Sequence, residues 1–325
     1  MPSFLKGTNS VNKSENQVNS GTFADLNSLI QLRMDARLLK LDLNRGARSI
    51  LAGQYGSKFR GRGMDYAESR HYQPGDDVRS IDWRLTARMG DTFTKVFVEE
   101  RERPVFLMLD FSPSVYFGTR ETFKSVNAAR AASLLGWTAI SNGDRLGGVI
   151  VANGQLTDLK PKAGRRGALA MINALSVATA QKPDYSAPSG FNQALTHLNA
   201  VVHPSSLVFM FSDFYHLDQT SEKLIAKIKQ HNDIVACQLV DPIERTPPVA
   251  GRYAITDNAL GKNSAVLNTD EARTRKRYLN IYGERKKQLD QIMNSMRIPV
   301  IELVNGQSVT KVMQSVFGKS AVTKR

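Results

Sequence analysis

One cysteine, Cys237, stands among 325 residues. A lone thiol excludes an internal disulfide framework and any thiolate zinc cluster. Its place inside the apolar run 234–240 marks it as a small core residue rather than a reactive nucleophile. Long apolar runs are missing as well. The longest, at 105–109, 146–152 and 206–211, fall far short of the roughly 20 residues that span a bilayer. The first twenty residues have no apolar core of the kind that directs export, so the expectation is a soluble, cytoplasmic protein. No Walker A sequence occurs, which argues against ATP hydrolysis by this chain. The five histidines, at 71, 197, 203, 216 and 231, show neither metalloprotease spacing nor an evident nucleophile partner. Gly61-Arg62-Gly63 lacks the third glycine of a dinucleotide fingerprint.

What is present is ordinary globular usage, with 41% hydrophobic and 23% charged residues. Lys and Arg number 44 against 30 Asp and Glu, a net charge of +14. The surplus is dispersed over 33–48, 160–182, 273–287 and 311–325, while charges nearly cancel over 58–103. No aromatic-interleaved or finger-like motif accompanies it. Steering of an acidic protein partner explains the charge at least as well as a phosphate backbone does, and nucleic acid is not the expected partner.

Periodicity divides the chain. Residues 1–21, rich in Ser and Asn, read as disordered. A helical stripe at Leu26, Leu29, Ile30, Arg33, Ala36, Leu38 and Leu41, capped by Asp25 or Thr22, predicts a helix to about residue 44. Short strands and turns follow over 58–103, with Pro74-Gly75 in a type II turn and a half-buried strand at 92–99. From 104 onward strands alternate with helices: strands at 105–109, 146–152, 207–211, 234–240 and 298–304, helices at 120–141, 165–178, 191–201, 221–231, 269–296 and 307–317. That alternation predicts a mainly parallel sheet covered on both faces. The expected domains are 22–103, with the helix and β-region; 104–306, an α/β domain; and 307–325, a terminal helix and basic tail.

The sharpest local feature is Asp110-Phe111-Ser112-Pro113-Ser114, directly after an apolar strand. Asp213 ends a later strand in the same way. Ligands of open α/β sheets bind outside the carboxyl ends of strands. Carboxylates and hydroxyls meeting there suit a hard divalent ion such as Mg²⁺, which takes oxygen ligands and keeps several waters. The competing reading has Asp110 and Ser112 only capping or turning the chain. Farther upstream, Arg70, Arg79 and Arg88 against Asp76, Asp77 and Asp82 read as a buried ion-pair and turn network; a partner surface anchored on Trp83 and an arginine is the alternative.

Asp110, Ser112 and Ser114 resemble the first element of the metal-ion-dependent adhesion site of von Willebrand factor A domains. Asp213 matches that family's later strand-end Asp. The loop Ser186 to Leu195 is similar to the one that carries its Thr, with Ser189 the best-placed hydroxyl here. The resemblance implies Mg²⁺ or Mn²⁺ held by Asp110, Ser112, Ser114, Ser189 and Asp213, in a Rossmann-like sheet with helices on both faces. Arg60-Gly61-Arg62-Gly63, Pro74-Gly75-Asp76-Asp77, Arg79-Ser80-Ile81-Asp82-Trp83 and Thr86-Ala87-Arg88 resemble the signature of a bacterial family called domain of unknown function 58. That resemblance spans about 38–241, and His71 stands where the family has an acidic residue. It implies a non-enzymatic interaction module, with no catalytic residues, that acts as an adaptor or cofactor of a MoxR-type AAA ATPase in assembling or activating client proteins. A metal-dependent hydrolase using the same oxygens and a nucleic-acid-binding protein using the basic helices are the alternatives.

Overall fold

A computed structural model describes residues 21–41, 65–98, 103–187, 189–256 and 264–318. The expectations for 1–20, for a helix beyond 41, for Arg60–Gly63 and for the tail from 319 lie outside the described residues. The elements are α1 (Leu26–Gln31), α2 (Arg33–Ala36), β1 (Asp65–His71), α3 (Trp83–Met89), β2 (Phe93–Val98), β3 (Val105–Phe111), α4 (Lys124–Ser141), β4 (Leu146–Ala152), β5 (Gln155–Lys162), α5 (Gly164–Ala180), α6 (Phe191–Val201), β6 (Leu207–Ser212), α7 (Gln219–Lys229), β7 (Asp233–Val240), α8 (Pro242–Arg245), β8 (Arg252–Thr256), β9 (Ser264–Asn268), α9 (Ala272–Ser295), β10 (Val300–Val304) and α10 (Val309–Phe317).

Among the described residues six strands form one sheet in the order β10-β7-β6-β3-β4-β5. All neighbours are parallel except β5, which returns antiparallel beside β4. β3, β4 and β6 are buried along their whole length, which is why they read as unbroken apolar runs rather than alternating ones. Side-chain parity sorts them into two cores. Leu107, Leu109, Phe209 and Cys237 face a layer with Ala and Leu residues of α4 and α5. Phe106, Met108, Val208 and Ala236 face α6, α7 and Met293 of α9. The thiol of Cys237 is buried, which pushes its pKa up.

The predicted single N-terminal helix is two short ones. Asp25 caps α1, accepting from the Ser28 N–H at 2.9 Å, and the chain re-starts at Leu32 without a side-chain cap. Leu29 and Ala36 are buried as the stripe requires, whereas Leu38 is exposed. These helices belong to the same compact unit as the sheet, where the sequence grouped them with the β-region.

Residues 65–98 fall in the second unit, in which β1 and β2 pair antiparallel. The Asp76 N–H donates to the Gln73 carbonyl at 3.0 Å, and Gly75 has φ +107°, closing the turn that Pro74-Gly75 predicts. The expected buried ion-pair network is corrected. Its one pair, Arg70 to Asp76 at 2.7 Å, is at the surface, with the Arg70 side chain 42% exposed. Backbone donation by Gln73 and then the Arg70 contact hold the Asp76 carboxyl below its ordinary pKa. Asp77 and Asp82 serve as caps, accepting from the Arg79 and Leu85 N–H groups. Asp82 opens α3, a helix the sequence reading missed, and Gly90 at φ +83° closes it. His71 stacks on Phe93 with ring centroids 4.4 Å apart.

Candidate metal centre

β3, β4, β6, β7 and β10 run parallel, so their carboxyl ends share one edge. Leu109 lies opposite Phe211, and Ser212 opposite Gln238. Asp110, Ser212 and Gln238 therefore stand side by side on the same face of three adjacent strands.

Asp110 is 1% exposed. One carboxylate oxygen accepts from the Ser112 N–H at 3.1 Å and from the Ser112 hydroxyl. The other accepts from the Ser212 hydroxyl at 2.8 Å. Burial first, then the charge of Asp213, pushes the Asp110 carboxyl up to about 6, against the donation of Ser112 and Ser212. The Ser114 hydroxyl oxygen is buried and has no hydrogen-bond partner among the described residues. A buried polar atom left this way is costly and marks a place where a further group fits.

Asp213 accepts from the Tyr215 N–H at 3.2 Å. The intervening Phe214 sits at φ +55°, a left-handed conformation unusual for a bulky residue, which lets its ring meet Phe191 edge-on at 5.9 Å. The other oxygen of Asp213 faces Lys124, whose ammonium lies 3.0 Å from it and 2.7 Å from Glu244. The Lys124 side chain is 0% exposed. Burial opposes its charge, but Asp213 and Glu244 outweigh burial and hold the ammonium above its ordinary pKa. Its nitrogen also lies 5.2 Å from the centre of the Tyr215 ring, and the Arg285 guanidinium stacks on that ring at 3.6 Å. Beside this cluster a cavity of about 80 Å³ is lined by Asp213, Tyr215, Gln238, Glu244, Tyr282 and Arg285.

The structure thus brings Asp110, Ser112 and Asp213 to one edge, with the Ser114 oxygen orphaned beside the same turn. Ser189 behaves differently. It is exposed, and its hydroxyl accepts from the Phe191 N–H at 3.3 Å, at the start of α6. No hydrogen bond among the described residues joins it to Asp110. The donor set is hard oxygen, which fits Mg²⁺ or Mn²⁺, and the orphaned Ser114 oxygen supports that fit. Among the described residues no three Asp, Glu, His or Cys side chains converge as a metal cluster, so a site here depends on neutral hydroxyls. The sequence reading missed Lys124 and Glu244. The available signal was that Lys124 opens a helix, 124–141, whose only other charged residue is Arg130.

A family model described as "Protein of unknown function DUF58" matches residues 68–288. The uncharacterized protein Rv1480 of Mycobacterium tuberculosis is 28% identical over 225 residues, covering 69% of this chain and 70% of that one. Among solved structures, an aerotolerance-related membrane protein from Bacteroides fragilis aligns with TM-score 0.37 and 16% identity, over 59% of this chain and 99% of that one. A von Willebrand factor type A protein from Catenulispora acidiphila aligns with TM-score 0.35 and 8% identity, over 69% of this chain and 43% of that one. The cytoplasmic expectation is corrected by this comparison, because the Bacteroides fragilis protein is described as a membrane protein. No helix among the described residues is long and apolar enough to cross a membrane, which by itself does not place the chain in a compartment.

Proposed function

We propose, for a chain that belongs to the DUF58 family, that the carboxyl edge of the sheet is a protein-docking face and not a catalytic centre. Asp110, Ser112 and Ser114 are the residues that would hold Mg²⁺ or Mn²⁺ there. Bound to mostly neutral hydroxyls, such an ion keeps enough positive charge to attract a carboxylate from a partner. The observation that carries this reading is the orphaned, buried Ser114 oxygen beside a buried carboxylate at a strand end. The side chains do the positioning. Ser212 and Ser112 fix the rotamer of Asp110, and Lys124 holds Asp213 against the edge. The partner class is a MoxR-type AAA ATPase together with its clients, as the family resemblance implies. The basic helix α9 would raise the encounter rate with an acidic surface more than the final affinity.

The test is a Mg²⁺ and Mn²⁺ thermal-shift titration of wild type and Asp110→Ala, run beside a pull-down with the ATPase. The expected result is a metal-dependent rise in Tm for wild type, absent in the variant, with capture of the ATPase weakened by the substitution. Equal capture by both proteins overturns the docking role of this edge.

A further inference from the structure

A divalent ion at a strand edge is usually balanced by carboxylates, yet here the carboxylate at the end of β6 already has a cation. Lys124 places a fully buried ammonium 3.0 Å from Asp213 and 2.7 Å from Glu244. We infer that Lys124 is a tethered counter-ion which withholds Asp213 and Glu244 from a divalent ion and so sets the metal affinity of the whole edge. This rests on the docking reading only for where the ion sits; the chemistry of Lys124 stands on its own geometry.

Three features argue for a dedicated role. First, α4 is buried nearly all round, and a lysine in such a helix is strongly disfavoured unless it is paired. The chain has paired it twice. Second, Glu244 is held in place independently: its other oxygen accepts from the Asp241 N–H at 2.9 Å, closing the capping box of α8. The acceptor is therefore preorganised and not merely drawn in by the lysine. Third, the face of Tyr215 lies over the same ammonium, adding a ring quadrupole to the two carboxylates.

The charges do not cancel: Asp213 and Glu244 carry two negative charges against the one positive charge of Lys124, and the remaining negative charge is spread over buried Asp213 and half-buried Glu244. A divalent ion reaching Asp213 must either displace the ammonium, leaving it buried and unpaired, or sit beside it against like-charge repulsion. In both cases affinity falls. An ion that uses Asp110 and the serines avoids Asp213 altogether.

Mn²⁺ binding, read by electron paramagnetic resonance and by thermal shift, tests this in the full chain. Lys124→Met is expected to bind Mn²⁺ at least about tenfold more tightly than wild type, because the Asp213 carboxylate is released. Lys124→Arg is expected to stay close to wild type, and Lys124→Met combined with Asp213→Asn to lose the gain. A folded Lys124→Met variant with unchanged or weaker Mn²⁺ affinity overturns the proposal, as does a gain that survives loss of Asp213. Should Lys124→Met fail to fold, single substitutions decide. Asp213→Asn is expected to lower Mn²⁺ affinity far less than Asp110→Ala does. If Asp213→Asn weakens Mn²⁺ as much as Asp110→Ala does, Asp213 is a direct ligand and Lys124 is not its keeper. Partner capture plays no part in these readouts, so a failure of the docking reading is recorded separately.

Discussion

Ser212 on β6 donates its hydroxyl to Asp110 on the neighbouring strand β3 at 2.8 Å, with both residues buried. Removing the donor leaves a buried carboxylate with one acceptor site unmet. Ser212→Ala is expected to destabilise the protein by about 1–3 kcal/mol at neutral pH, read from urea unfolding. A change within experimental error shows that water reaches Asp110 and replaces the serine.

Asp241 gives a pH dependence. Burial alone would raise its pKa, but donation from Thr119, from the Ile243 N–H and from Asn305 outweighs burial and holds the carboxyl below its ordinary 3.8. In this case the native state binds fewer protons than the unfolded chain just below that ordinary value. The contribution is fully present above it and is lost as pH falls through the native pKa. The urea midpoint of wild type is expected to drop as pH falls below about 4, with a shallower drop for Asp241→Asn over the same range. Parallel acid limbs for the two proteins would contradict this.

Gly148 in β4 and Gly143 before it separate two costs of adding a methyl group. A Cβ at Gly148 would come within 2.4 Å of the Leu107 carbonyl oxygen and 2.6 Å of Met171, so Gly148→Ala is expected to cost about 3 kcal/mol, through a backbone collision that cannot relax. At Gly143, φ is +87° and the space is open. Gly143→Ala pays only torsional strain, about 1 kcal/mol. Thermal unfolding of both variants should rank them in this order.

Cys237 is expected to resist thiol reagents in the native state, since it is buried and its pKa is raised by burial. Labelling should begin only with denaturant and follow the unfolding transition. Rapid native labelling would mean that β7 opens locally.

The sheet was legible because its signals are strong and local. Leu146–Ala152 and Phe191–Val201 occupy the spans that their patterns predict, and both cores follow from strand parity. α3 escaped notice because it buries none of its residues; it depends on Asp82 and Gly90 at its ends, and no apolar stripe announces it. The break at Leu32 escaped for a related reason, since helical spacing persists across two short helices. At the site, Asp110 and Asp213 lie at strand ends, as their apolar runs suggest, whereas the Ser189 hydroxyl accepts from the Phe191 N–H at the start of α6. Lys124 was passed over because its one signal, a lysine opening a nearly uncharged helix, does not name its partners; only the convergence of Asp213 and Glu244, distant along the chain, does.

The odd and even positions of β3 have a consequence for folding. Leu107, Leu109 and Phe111 fill one core, while Phe106 and Met108 fill the other, and Asp110 ends the second row. A slip of β3 by one residue against β4 and β6 exchanges the rows. The carboxylate would then enter the layer that Leu109 and Phe111 now occupy, far from the Ser212 hydroxyl. Asp110 therefore acts as a registration mark: the residue that presents the edge to a ligand also penalises every misaligned pairing of the central strand.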